Sequence, residues 1–158
     1  MTKPDRSSGE SGPHWHALLA PLPEDAVPER KPVGSPEVLA TPAGRSIAGW
    51  EQLTINLSAG PAGLRSVLVV LDAGGALLSA GDSVLYRSGE ADRATILHLS
   101  VGGRFEPDGS FHGTRWHSVA IEPGGDEEPQ WESTPSAPSE EDVEALRTLV
   151  AEVIRRQP

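Results

Sequence analysis

Between residues 46 and 121, five runs rich in Val, Ile, Leu and Thr alternate with short clusters of Gly, Pro and Asp. That punctuation predicts strands at 46–57, 65–72, 76–87, 94–105 and 110–121. Parallel strands need crossovers of a dozen or more residues, and none of these connections is that long, so an antiparallel meander is expected.

Two turns carry the most information. Leu71–Leu77, with Gly74 and Gly75 inside it, reads as one hairpin tip, and Glu106-Pro107-Asp108-Gly109-Ser110 reads as another. Proline pre-sets φ at the second turn position, and glycine accepts the left-handed residue of a three-residue loop. This turn pairs Phe105 with Phe111, Gly103 with Gly113, Val101 with Arg115, Leu99 with His117 and Leu97 with Val119 on one face. A two-residue Asp-Gly turn would slip the ladder by one and set Trp116 opposite Val101, a less favourable match.

The rest of the chain divides around this sheet. Residues 1–44 hold eight prolines and read as a disordered or extended N-terminal arm. Residues 45–122 form the sheet body, and residues 123–138 an acidic, proline-punctuated linker. Residues 139–156 form an amphipathic helix: Ser139 and Asp142 make a capping-box pattern, and Val143, Leu146, Leu149, Val150, Val153 and Ile154 make one apolar stripe. Glu144 with Arg147 and Glu152 with Arg156 are spaced to pair along its surface. The expectation is an α+β fold of about five antiparallel strands packed by one C-terminal helix.

Charge and composition exclude several function classes. The formal charge is −10, and residues 123–142 carry seven acidic side chains and no basic one. A chain without a Lys/Arg stripe repels phosphate, which argues against nucleic-acid partners and anionic membrane surfaces. The absence of cysteine removes disulfides, thiolate nucleophiles and Cys-ligated zinc. No apolar run is long enough to span a bilayer, and no leader-like core is present, so a cytoplasmic setting is expected. No nucleotide, metal or hydrolase motif occurs, and no cofactor is implied.

Three constellations remain as candidates. Arg115 and His117, beside the side-chain-free pair Gly103 and Gly113 and with Tyr86 as a further candidate, could line a pocket for a small anionic ligand or an isomerase-like or lyase-like reaction. The bland alternative is that these glycines merely bend the sheet. If Ser88–Asp92 is a loop joining Arg87 to Arg93, then Asp82, His98 and Ser118 become lateral neighbours on three strands, in the order a catalytic triad requires. No oxyanion hole accompanies that row, so it also reads as a polar row on a half-solvated face.

The third is an apolar island in the arm, where Trp15, Leu18, Leu19 and Leu22 recur on one helical face. It can dock on a partner protein or fold back on its own sheet. The functional expectation is a small acidic accessory protein working through protein contacts of the arm and the sheet face, with homodimerisation through an open sheet edge as a further option. A small-molecule binder or enzyme is the alternative.

Overall fold

The computed structural model describes residues 15–33, 50–60, 63–72, 74–89 and 93–157. Seven strands form a single antiparallel sheet in sequence order: β1 (Glu29–Val33), β2 (Trp50–Ser58), β3 (Gly63–Leu71), β4 (Leu77–Ser88), β5 (Thr95–Phe105), β6 (Phe111–Ile121) and β7 (Glu132–Ser136). One helix, α1 (Glu140–Arg155), follows them. Fold class and helix agree with the sequence reading, but the strand number does not. The five internal strands are where the alternating runs place them, and two further strands close the edges.

Both added strands lie in segments read as arm and linker. The prolines that suggested irregular chain there, Pro32 in β1 and Pro135 in β7, sit on edge strands. An edge strand needs only half of its backbone groups for pairing, so it tolerates a residue without an N–H. Residues 1–14 and 34–49, which include the expected start of the first strand, lie outside the described residues.

The Glu106–Ser110 turn sets the β5–β6 register as its chemistry requires. Glu106 N–H donates to Ser110 C=O at 2.9 Å, and Gly109 takes the left-handed conformation at φ +93°. Phe105 then faces Phe111 with ring centroids 4.7 Å apart.

Register parity puts almost all the large buried side chains on one face, here the inner face. It carries Leu53 and Ile55 of β2, Val67, Val69 and Leu71 of β3, Ala80 and Val84 of β4, and Leu99, Val101 and Phe105 of β5. Two elements seal it. Leu146, Leu149, Val150 and Val153 of α1 cover one part, joined by Leu22 and Ala26, while Leu18 packs on Val84, Leu99 and Val101.

Helix α1 begins at a reciprocal capping box: Asp142 N–H donates to Ser139 Oγ and Ser139 N–H donates to Asp142 Oδ2, each at 3.0 Å. Glu152 pairs with Arg156 at 2.5 Å as its spacing predicts. Arg147 turns elsewhere, donating to the Gly109 carbonyl and lying over the Phe105 ring. Among the described residues, no helix is long and apolar enough to cross a membrane.

Candidate functional site: the open face of the sheet

The two faces differ in what covers them, and the N-terminal segment explains the difference. Trp15–Ala17 forms a single 3-10 turn, and Leu19 then adopts φ +63°. That reversal breaks the expected run of helical positions, and its amide donates to Asp82 Oδ2 at 2.5 Å. Leu18 and Leu22 are buried in the chain's own core. Of the two fates open to the apolar island, the structure therefore adopts self-docking.

Asp82 is 1 % exposed and lies on the inner face diagonally across the β3–β4 ladder from Arg65, which is 3 % exposed. The guanidinium meets the carboxylate through two hydrogen bonds of 2.9 and 2.7 Å. Burial raises the Asp82 carboxyl above its ordinary value even against the pull of Arg65 and the Leu19 amide. Asp82 thus ties the segment before β1 to the centre of the sheet.

This placement separates the proposed triad. Strands β4 and β5 pair Ser88 with Thr95, so Asp82 faces Val101 and His98 faces Leu85. The assumed Arg87–Arg93 loop gives the opposite parity, and a register change of that kind moves every side chain to the other face. Asp82 is on the inner face, while His98 and Ser118 remain neighbours on the outer one. Ser118 Oγ bonds to Ser133 Oγ at 2.9 Å, and the His98 ring meets Trp131 edge-on at 6.4 Å. Burial lowers the His98 pKa, which favours the neutral ring at neutral pH.

The pocket candidates all lie on the inner face and are occupied, and Tyr86, paired with Leu97, stands six positions along β5 from Gly103 and does not join them. The Arg115 guanidinium lies 4.1 Å from the Trp15 ring centroid and is bonded to Asp142 at 2.7 Å. The His117 ring stacks on Trp15 at 6.1 Å. The space beside Gly113 holds the Phe111 ring, 2.4 Å from where a Cβ would sit, and a Cβ at Gly103 would meet His112 C=O at 2.3 Å. Tyr86 packs on Gly63 in the same way. These glycines make room for neighbouring chain and rings. Among the described residues, no group of three or more His, Asp or Glu side chains is arranged to hold a metal ion.

The outer face is covered much less. One lateral row across β3, β4 and β5 runs Leu64, Leu85, His98, and the next runs Ser66, Ser83, Ser100 and on to Trp116 of β6. Leu64 is 54 %, Leu85 38 %, Trp116 39 % and Trp131 44 % exposed. Beside the serine row, Gly81 of β4 and Gly102 of β5 leave a trough of about 370 Å³. Sequence reasoning missed this surface. Its signal was present, since alternation along β6 places Trp116 on the same side as Thr114 and Ser118, where polar residues are expected.

No family model, curated protein or solved structure matches this chain.

Proposed function

We propose that the protein is a small accessory or interaction module whose contact surface is the outer face of the sheet. One observation carries this reading: among the described residues, segment 15–26 and α1 pack on the inner face, while Leu64, Leu85, Trp116 and Trp131 are exposed on the outer one, with Ile121 exposed at the inner-face end of β6. Exposed apolar side chains gathered on one face are typical of protein contact sites, where tryptophan contributes disproportionately. The neutral His98 ring among them carries no charge that binding would have to desolvate. The absence of cysteine suits a role in the cytoplasm.

Edge-to-edge pairing with a second copy has less support. The outermost strands carry Pro32 and Pro135 together with Arg30, Lys31 and Glu132, the residue types that discourage strand addition.

The test compares three forms of the full chain as bait in cell extract: native, Leu85→Ser/Trp131→Ser on the outer face, and Trp15→Ala on the inner. The reading expects a partner retained by the native chain and by Trp15→Ala and lost from the double variant. A partner that stays on the double variant, or native bait that retains nothing above a scrambled control, overturns it.

A further inference from the structure

The trough on the outer face has a chemistry distinct from the leucine row beside it. Its floor is the bare backbone of Gly81 and Gly102, and its walls are Ser66, Leu68, Ser83, Ser100, Thr114 and Trp116. None of these side chains is charged. Asp82 borders the trough only through its backbone, because its carboxylate is turned to the inner face and bonded to Arg65. Arg104, one row further along, is paired with Glu106 at 2.8 Å.

The hydroxyls of Ser66, Ser83, Ser100 and Thr114 form no hydrogen bond with another described residue and remain half-buried at the trough. Each is both a donor and an acceptor. Adjacent strands space Ser66, Ser83 and Ser100 at about 4.8 Å intervals in one line. Trp116 ends that line with an exposed indole.

The two glycines have different reasons to be there. A Cβ at Gly102 would lie 2.9 Å from Ala80 C=O, so strand packing requires glycine. A Cβ at Gly81 would lie 3.5 Å from Val101 C=O, an ordinary contact. Packing therefore does not explain Gly81. Glycine in mid-strand weakens a sheet, and where no neighbouring backbone demands it, it marks the approach of something else.

The geometry points to a binding site for a neutral oligosaccharide. A sugar ring presents hydroxyls along its rim, which match the serine line, and a C–H face, which matches an indole. An uncharged trough on a chain of net charge −10 offers nothing to an anionic ligand and no carboxylate to a cationic one. The trough volume falls within the range of small-ligand sites. This site goes beyond the partner contact proposed above and does not depend on it.

The test titrates the full chain at millimolar concentration with linear neutral tetrasaccharides of glucose, mannose, galactose and xylose, reading amide chemical shifts. A sulfated tetrasaccharide and a neutral proline-rich peptide serve as comparators. The expected result is saturable binding of at least one neutral tetrasaccharide, with shifts at Ser83, Ser100 and Trp116 and an affinity insensitive to salt. Trp116→Ala and Gly81→Val should each weaken it by at least about tenfold while the other amide shifts stay native. Ser83→Ala/Ser100→Ala, which removes no packing, gives the same reading should Gly81→Val fail to fold. Binding only of the sulfated sugar, only of the peptide, or of none of the probes overturns the proposal. So does neutral-sugar binding that survives the Trp116 and serine variants.

Discussion

Replacing Asp82 by alanine tests the architecture at its most demanding point. Asp82 and Arg65 are almost wholly enclosed, and the carboxylate also accepts the Leu19 amide. Removing one partner of a buried ion pair leaves the other charge without compensation and costs about 3–5 kcal/mol. A domain of this kind holds only about 5–15 kcal/mol in total. In urea, the midpoint of unfolding should fall by about 2 M.

The double variant Arg65→Met/Asp82→Leu should behave differently, because an apolar pair of similar volume replaces a buried ion pair at little cost or with a gain of about 1–4 kcal/mol. Against that gain stands the orphaned Leu19 N–H, worth about 1–3 kcal/mol. The double variant should therefore lie within about 3 kcal/mol of the native chain. Its hydrogen exchange should be faster at Leu19 and unchanged in β3 and β4. If Asp82→Ala costs less than about 1 kcal/mol, the carboxylate is solvated, and the β3–β4 register and the docking of the arm are both wrong.

Three further outcomes follow from the same packing. Leu146, which is 0 % exposed on the inward side of α1, should cost about 2–5 kcal/mol when cut to alanine, measured by urea denaturation. Gly103→Ala should lower the midpoint of thermal unfolding clearly, because its Cβ would collide with His112 C=O and Gly113 Cα, whereas Gly81→Ala should leave it nearly unchanged. Burial pushes the Asp142 carboxyl up, but hydrogen bonds from the Ser139 amide and the Arg115 guanidinium hold it below its ordinary 3.8. A depressed folded pKa stabilises above the unfolded value and loses that contribution as pH falls through the folded one. The stability gap between native and Asp142→Asn protein should accordingly be full at neutral pH and close below about pH 3.8.

What the sequence disclosed depended on how tightly local chemistry constrains geometry. The Pro107-Asp108-Gly109 turn admits few solutions, so the β5–β6 pairing was legible residue by residue. The Ser139/Asp142 box and the apolar stripe of α1 were equally legible, because capping and periodicity are local. The β4–β5 loop was not. Ser88 and Thr95 bracket a connection with no residue that imposes one turn type, and the parity error there assembled a triad the fold keeps apart. The edge strands were hidden by prolines, which mean irregular chain in most contexts and a tolerated edge in this one. Whether Trp15 and Leu18 would turn inward depended on the Arg65–Asp82 pair, a contact between strands that no local pattern announces.

Among the described residues, segment 15–26 and α1 seal one side of the sheet and the other side is left largely open. Methyl and aromatic nuclear Overhauser contacts in the full chain test it directly. The account predicts cross-peaks from Leu18 to Val84 and Leu99, from Trp15 to His117, and from Trp131 to His98, with Trp116 accessible to a soluble paramagnetic probe. Random-coil shifts for Leu18 and Leu22, or a Trp116 indole shielded from that probe, would contradict it.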